Sequence, residues 1–435
     1  MRGAGRPGVE INEPDVREVC AAEVGTWNIR GKRVLAIVPD STRTAPMDVM
    51  FRVLYELIAP DAKTFDVLIA LGTHPPMSEA AINQRLGITE RDRHERYSKT
   101  RFFNHDWDKP SQVVSVGAIT EEEVDRISGG LMREHVDVTI NRLVLDYDLL
   151  LIIGPTFPHE VVGFSGGNKY LFPGISGREI IHMFHWLGAL ITNQAINGAK
   201  YTPVRAVVDK AASMVPVERK CASLVIEGGK LVGLYLGTPE EAWSAASDLS
   251  SRVNVRYVER PFQSVLSCAP AMYDEFWTGA KCVYKLEPVI ADGGELIVYA
   301  PHIDRLSITH GATIRQIGYH VRDYFVKQMD RFKGLPRGVL AHSTHVKGVG
   351  TYADGVECPR IHVTLATQIG EAECHAINLG YRDVRSIHAE EWNDWGDKGR
   401  LCVPKAGEML YRLKGSDEAA QAGQRGQGSD PWAAG

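Results

Sequence analysis

An unbroken apolar run, residues 149–153, leads directly into a glycine-rich loop that extends to residue 186. A run without polar alternation is typical of a strand that is buried on both faces of a parallel sheet. In open α/β folds, the loops that follow such strands lie at the carboxyl edge of the sheet, where ligands bind. The sequence therefore predicts an α/β fold whose ligand site includes residues 154–186.

Strand and helix patterns alternate along the chain, which is typical of a doubly wound sheet. The predicted strands are 33–38, 65–71, 136–140, 149–153, 263–268, 295–300, 339–343 and 361–367. The predicted helices are 46–58, a helix that begins near Ser78, segments within 178–213, 239–247 and 275–290. We expect the polar residues 9–32 to wrap an edge of the sheet.

These patterns predict two α/β domains and a tail. Residues 1–255 are expected to form the larger, Rossmann-like, cofactor-binding domain, and residues 256–414 a smaller C-terminal α/β domain. Residues 415–435 contain almost no apolar side chains, so we expect a disordered tail. No Gly-x-Gly-x-x-Gly follows the first strand and no P-loop motif occurs, so neither a standard dinucleotide fold nor a P-loop ATPase is supported.

Composition excludes several classes of protein. The chain has 435 residues and a net charge of −5, which argues against a general nucleic-acid binder. The sequence contains no run of eighteen apolar residues, which a membrane-spanning helix would need, and the first residues do not resemble a signal peptide. The seven cysteines show no Cys-x-x-Cys spacing and are interpreted as reduced thiols of a cytoplasmic protein.

The 154–186 loop gathers several chemically capable residues. They are His159, Ser165, Gly166, Gly167, Lys169, His182 and His185. The glycines let backbone amides approach an anion closely, and Lys169 is either a phosphate donor or, when desolvated, a nucleophilic amine. Each residue alone would be better explained as part of an ordinary turn or helix surface, but their concentration in one loop favours a functional site.

Two other segments are candidates for the same site. Asp40, Thr42 and Arg43 follow the first strand and would suit an anion at a helix N-terminus, although an N-cap with a solvated arginine explains them equally well. Residues 103–107 form a polar and aromatic cluster that we expect to lie outside the core. Within it, His105 stands beside Asp106 and is either a general base or a surface residue.

Together these motifs resemble the nickel-dependent lactate racemase family. The resemblance rests on five blocks in order: Asp40-Ser-Thr-Arg43, Leu71-Gly-Thr-His74, Asn104-His-Asp106, the 154–186 loop, and Lys281 with Gly293-Gly294 twelve positions later. Within the loop, Lys169 lies ten positions after His159 and His185 sixteen after Lys169. The resemblance implies two α/β domains with the active site in the cleft between them.

The resemblance also implies a cofactor and a mechanism. The implied cofactor is a nickel-pincer nucleotide bound covalently by Lys169, and cofactor-biosynthesis enzymes would supply it through transient contact. His185 is the implied protein ligand to nickel, and His182 is the alternative ligand. Hydride passes from C2 of a 2-hydroxy acid to the cofactor and back, while two histidines act as acid and base. The implied assignments are His105 and His159 as the acid/bases, Lys281 at the substrate carboxylate, and Asp40, Thr42, Arg43, Gly72, His74, Ser165, Gly166 and Gly167 at the cofactor.

The chain departs from the lactate enzymes at three positions. Pro75 and Thr278 stand where those enzymes place an arginine and a glutamine that bind substrate, and Phe184 replaces an expected asparagine. These changes favour a larger hydroxy acid, such as an aldonate epimerised at C2, with lactate as the alternative substrate. Two other classes remain open: a zinc-dependent hydrolase using His74, His105, His159 and His185, and a cofactor-binding protein without turnover.

Overall fold

Strands and helices alternate along the chain, which confirms the predicted α/β class. The structure, a computed structural model, describes residues 1–392 and 399–416. Residues 417–435 of the predicted disordered tail lie outside the described residues. No helix in the described ranges is both long and apolar enough to cross a membrane.

The strands are β1 (Arg2–Gly5), β2 (Arg33–Pro39), β3 (Thr64–Ala70), β4 (Phe102–Asn104), β5 (Val113–Ile119), β6 (Val136–Asn141), β7 (Leu149–Pro155), β8 (Pro158–His159), β9 (Gly163–Phe164), β10 (Glu218–Glu227), β11 (Lys230–Gly237), β12 (Val255–Val258), β13 (Phe262–Cys268), β14 (Ile290–Ala300), β15 (Gly350–Ala353), β16 (Val356–Pro359), β17 (His362–Thr367), β18 (Gly380–Tyr381), β19 (Arg400–Val403) and β20 (Leu410–Leu413).

The α-helices are α1 (Glu13–Val24), α2 (Met47–Ile58), α3 (Glu79–Leu86), α4 (Glu90–His94), α5 (Glu121–Ser128), α6 (Arg178–Ile191), α7 (Asn193–Ile196), α8 (Pro203–Ser213), α9 (Pro239–Val253), α10 (Phe276–Gly279), α11 (Lys281–Tyr284), α12 (Gly311–Ile317), α13 (Arg322–Val326), α14 (Arg337–Lys347) and α15 (Glu371–Ala376).

The apolar run at 149–153 forms the centre of the first sheet. This sheet has the order β1-β11-β10-β7-β2-β3-β4, and its five strands from β10 to β4 are parallel. All residues of β7 are buried, because α1 and α2 cover one face of the sheet while α6 and α8 cover the other. Burial on both faces explains why β7 has no polar alternation.

The second sheet is entirely parallel and has the order β18-β17-β14-β13-β19. One continuous cluster of buried apolar side chains includes residues of both sheets, such as Leu150 and Val298. Strand β20 returns from the end of the chain to pair with β12 in parallel. The division into domains at residue 255 stays a prediction.

Two sequence-based assignments are wrong, and a third segment contains a helix that was not predicted. Residues 339–343 were expected to form a strand but lie in α14, and every residue from 339 to 347 is buried. A short apolar run cannot distinguish a buried strand from a buried helix. Residues 9–32, expected to wrap an edge of the sheet, contain the helix α1, which Asn12 caps and which contacts the edge strand β1 and its neighbour β11. The predicted helix 275–290 is divided into α10, α11 and a short 3₁₀ turn at Glu287–Val289.

Two further features change the predicted sheet. Strand β6 was expected in the doubly wound sheet but pairs antiparallel with β5 in a separate ribbon. The hairpin β10–β11 was not predicted, although Gly228 and Gly229 form its two-residue turn with positive φ at both positions. Two glycines between apolar runs are a hairpin signal that the sequence contains.

Candidate active site

A cavity lies at the carboxyl ends of β2, β3 and β7, where the sequence predicted a ligand site. Its other wall comes from α10, α11 and α14, which belong to the part of the chain that carries the second sheet. Twelve of the predicted site residues line it: Asp40, Thr42, Arg43, Gly72, His74, His159, Ser165, Gly166, Lys169, His185, Thr278 and Lys281. Pro75, His105, Gly167 and His182 are not among the lining residues.

Asp40 and His74 form a close pair at one side of the cavity. His74 Nδ1 lies 2.5 Å from Asp40 Oδ2, and the backbone N–H and hydroxyl of Thr42 donate to Asp40 Oδ1 at 3.0 and 2.7 Å. Burial opposes ionisation of Asp40, but His74 and Thr42 outweigh it and hold the pKa of this carboxyl well below its usual range. Asp40 is therefore an anion that fixes the orientation of the His74 ring.

Arg43, Lys169 and Lys281 bring three basic side chains to the same cavity. Burial and the charge of Arg43 lower the pKa of Lys169 to about 7 and that of Lys281 to about 7. Within the described residues, Lys281 Nζ is buried without a hydrogen-bond partner and lies 4.9 Å from the centre of the Tyr273 ring. An excess of basic groups with an unsatisfied amine suits an anionic ligand.

The loop that presents Lys169 requires its glycines. Gly166 has φ of +89°, and a Cβ there would lie 2.4 Å from the Thr156 hydroxyl oxygen. A Cβ on Gly167 would lie 2.8 Å from Trp243 Cβ. The Ser165 hydroxyl accepts from Phe157 N at 2.9 Å and so helps to hold the loop. Lys169 then enters the cavity from a 3₁₀ turn, Gly167–Tyr170.

His185 is oriented so that one ring nitrogen remains available. Its Nδ1 donates to the Ile181 carbonyl one turn earlier in α6, at 2.7 Å, which leaves the lone pair on Nε2. Burial lowers the pKa of His185 to about 3, so the ring is neutral, as a metal ligand must be. Phe184 lies beside both side chains. The Lys169 Nζ atom is 5.8 Å from the centre of the Phe184 ring, and the centre of the His185 ring is 5.0 Å from it.

His182 makes a different set of contacts. Its Nδ1 accepts from Gly338 N at 3.3 Å, and its ring packs edge-on against Trp107. Within the described residues, no three side chains of His, Cys, Asp or Glu are grouped so that they could hold a metal ion.

His159 lies in the cavity beside two charged residues that the sequence analysis did not identify. Its Nδ1 accepts from Val161 N at 3.1 Å and lies 3.6 Å from Glu160 Oε2. Lys285 Nζ lies 3.4 Å from the same carboxylate oxygen. Burial lowers the pKa of His159 well below its usual value, and Glu160 opposes that effect. His159 is therefore neutral at pH 7.

His105 lies outside the cavity lining and inside the core. It is 1% exposed, so the expectation that it lies outside the core is wrong. Its Nε2 donates to the Ser176 carbonyl at 2.9 Å and its Nδ1 accepts from Asn141 Nδ2 at 3.1 Å. Burial lowers its pKa to about 4. Because His105 does not line the cavity that holds His74, His159 and His185, the four histidines of the zinc-hydrolase alternative do not surround one site.

The substrate positions that differ from the lactate enzymes have separate environments. Pro75 is exposed in the loop between β3 and α3, while Thr278 is buried and donates to the Glu275 carbonyl at 3.0 Å. Trp277 and His342 line the cavity nearby and stack with ring centres 3.9 Å apart. His342 and His345 were missed because their helix, α14, was interpreted as a strand.

Comparisons with known proteins agree with these motifs. Residues 19–198 match the family model described as the lactate racemase N-terminal domain. The lactate racemase of Thermoanaerobacterium thermosaccharolyticum is 23% identical over 311 residues, which cover 69% of this chain and 68% of the relative. The lactate racemase of Lactiplantibacillus plantarum is 25% identical over 230 residues, covering 50% of this chain and 48% of the relative.

Solved structures share the fold over nearly the whole chain. A crystal structure of a protein from Thermotoga maritima is 32% identical, has a TM-score of 0.86 and matches 93% of this chain and 100% of its own. The apoprotein of the Thermoanaerobacterium thermosaccharolyticum lactate racemase is 18% identical, with a TM-score of 0.70 and 93% of each chain covered.

Proposed function

The chain belongs to the lactate racemase family, and on that premise we propose that it is a racemase or epimerase that inverts C2 of a 2-hydroxy acid. The observation that carries this proposal is the convergence of Arg43, Lys169 and Lys281 with the neutral His159 in one cavity. Such a cavity binds an anionic acid and has a base for its hydroxyl group.

The residues present fit a nickel-pincer nucleotide. Lys169 has an amine that is about half neutral at pH 7, which a covalent link requires. His185 has a free Nε2 for nickel, which accepts imidazole, and Arg43 with the narrow loop at Gly166 suits a phosphate. When bound, this cofactor supplies a hydride acceptor, so that C2 loses its hydrogen without gaining a second negative charge.

The chain itself binds the substrate and moves its proton. Lys281 balances the substrate carboxylate, because its buried amine has no hydrogen-bond partner within the described residues. His159 takes the proton of the 2-hydroxyl group of one enantiomer as C2 becomes planar, and a second acid/base returns a proton when C2 is inverted. The second acid/base is His105 by resemblance, and it must break its bond to Ser176 O or to Asn141 to reach the substrate.

We propose a substrate larger than lactate. The contacts that an arginine and a glutamine would make to a small acid are missing at Pro75 and Thr278, and the stacked pair of Trp277 and His342 lines the cavity instead. An aldonate would place hydroxyl groups and C–H faces against this pair. Lactate remains the alternative substrate.

A stereochemical assay tests the activity. The protein, co-expressed with cofactor-building enzymes, is given single C2 epimers of lactate and of several aldonates, and the products are resolved by chiral chromatography. We expect inversion of at least one acid, with a loss of about 10²- to 10⁴-fold in His159→Asn. The control His362→Asn changes an exposed histidine on β17 and should behave as wild type. A nickel-loaded protein that inverts none of these acids would instead be a binding protein without turnover.

A further inference from the structure

The role of His159 as an acid and base depends on which of its ring nitrogens carries the hydrogen. A histidine that acts as acid and base through Nε2 alternates between a neutral ring and an imidazolium, and Nδ1 carries a hydrogen in both forms. In the structure, however, Nδ1 accepts a hydrogen bond from Val161 N at 3.1 Å. A neutral ring in that arrangement has its hydrogen on Nε2 and cannot accept a proton there. An acceptor for an Nδ1–H group is therefore required.

Glu160 is the acceptor at hand. Its Oε2 lies 3.6 Å from His159 Nδ1, and the residue is 8% exposed. Burial disfavours a charged carboxylate, but the charges of His159, Lys285 and Arg43 outweigh it and lower the pKa of Glu160 well below its usual value. Glu160 is therefore an anion, and a small movement of its side chain would bring it within hydrogen-bond distance of the His159 ring.

Lys285 ties this carboxylate and its loop to the opposite wall of the site. It follows α11, 125 residues after Glu160, and its side chain is 3% exposed. Its Nζ donates to the Pro158 carbonyl at 2.6 Å and lies 3.4 Å from Glu160 Oε2 and 3.5 Å from Asn197 Oδ1. The lysine thus contacts the residues on either side of His159 in the loop.

We propose that Glu160 and Lys285 are positioning residues that hold His159 in the form with hydrogen on Nδ1 and keep its loop in place. This inference rests on the proposed role of His159 as an acid/base. Neither residue needs to touch the substrate. A buried ion pair of this kind gains little stability over apolar packing, so a role in orienting the ring explains its presence better than a role in folding.

The charges around His159 set the direction of the effect. The ring faces Glu160 and three basic groups, Lys169, Arg43 and Lys285. All three basic groups disfavour an imidazolium, and Glu160 alone favours it. Loss of the carboxylate should therefore lower the pKa of His159 further and shift the neutral ring toward the form with hydrogen on Nε2.

Imidazole ¹⁵N NMR of the protein without cofactor tests the inference independently of turnover. Signals of His159 are assigned by comparison with His159→Asn. In Glu160→Gln, we expect a smaller population with hydrogen on Nδ1 and a His159 titration shifted to lower pH. The matched control is Glu357→Gln, because Glu357 pairs with His320 Nδ1 at 2.9 Å away from the cavity. An unchanged tautomer and titration in Glu160→Gln would overturn the proposal.

Kinetics of the loaded enzyme provide the second readout. Glu160→Gln and Lys285→Met should lower kcat by about 10- to 100-fold with little change in KM, whereas Lys347→Met, at a buried lysine bonded to the Asn378 carbonyl, should not. Equal losses in the control would mean a structural effect and would contradict the proposal. If Lys285→Met does not fold, Glu160→Gln alone decides. If the wild type inverts no acid, the proposed function fails while the NMR result still tests the pairing.

Discussion

Lys281 has a buried amine that lacks a hydrogen-bond partner within the described residues, and its replacement by methionine should stabilise the protein. The pKa of Lys281 falls from 10.5 to about 7, chiefly because burial disfavours the charged form and Arg43 repels it. The unfolded chain then binds a proton more tightly than the folded chain. The lysine therefore costs stability at any pH below its unfolded pKa.

The size of this cost follows from the two pKa values. Each tenfold change in proton affinity corresponds to about 1.4 kcal/mol, so the cost is roughly 5 kcal/mol at pH 6 and about 2 kcal/mol at pH 9. It is present in full below the folded pKa and disappears as the pH rises through 10.5. Methionine has a similar length and no charge, so Lys281→Met removes the cost and keeps most of the packing.

Urea unfolding of wild type and Lys281→Met at several pH values measures the difference directly. We expect the variant to be more stable at pH 6, by an amount that shrinks toward pH 9. Lys333→Met, at an exposed lysine, should show no such trend. A variant that is less stable than wild type by the same amount at every pH would refute the reasoning, because the amine would then be satisfied in the fold.

Three other predictions concern residues assigned to the proposed active site. His159→Asn and His105→Asn should each lower kcat by about 10²- to 10⁴-fold while the cofactor stays bound; unchanged turnover in either variant would remove that histidine from the mechanism. The pKa of the Lys169 amine is about 7, so its acylation in the protein without cofactor should reach half its maximum near pH 7. Mass spectrometry measures this acylation, and a pH profile like that of exposed lysines would show that burial does not lower the pKa of Lys169. Pro75→Arg combined with Thr278→Gln should raise kcat/KM for lactate relative to larger acids, and an unchanged ratio would place specificity elsewhere.

The part of the fold that the sequence predicted is the part with strong local patterns. Strands β2, β3 and β7 are apolar over most of their length because they are buried on both faces, and α2 shows a clear apolar face. Helix α14 was mistaken for a strand because all of its sides are buried, so its sequence has no amphipathic period. Tertiary packing, which a single sequence does not display, decides such segments.

In the candidate site, too, the sequence predicted the residues that belong to a local pattern and missed those that depend on distant contacts. Residues within one loop, such as His159 and Lys169, were identified because their spacing is local. The roles of Glu160 and Lys285 depend on a contact across 125 residues, which no local pattern reveals. The burial of His105 depends on Asn141 and Ser176, which come from other segments. A glutamate directly after a candidate histidine is nevertheless a signal that the sequence contained.

The central claim is that this cavity holds a nickel-pincer nucleotide on Lys169. The most direct test is the intact mass of the denatured protein and its nickel content after co-expression with the cofactor-building enzymes, with Lys169→Ala and Lys347→Ala alongside. We expect an adduct of nucleotide size on the wild type and on Lys347→Ala, and none on Lys169→Ala. A wild-type mass equal to that of the bare polypeptide, without nickel, in cells where a lactate racemase relative acquires the cofactor, would contradict it.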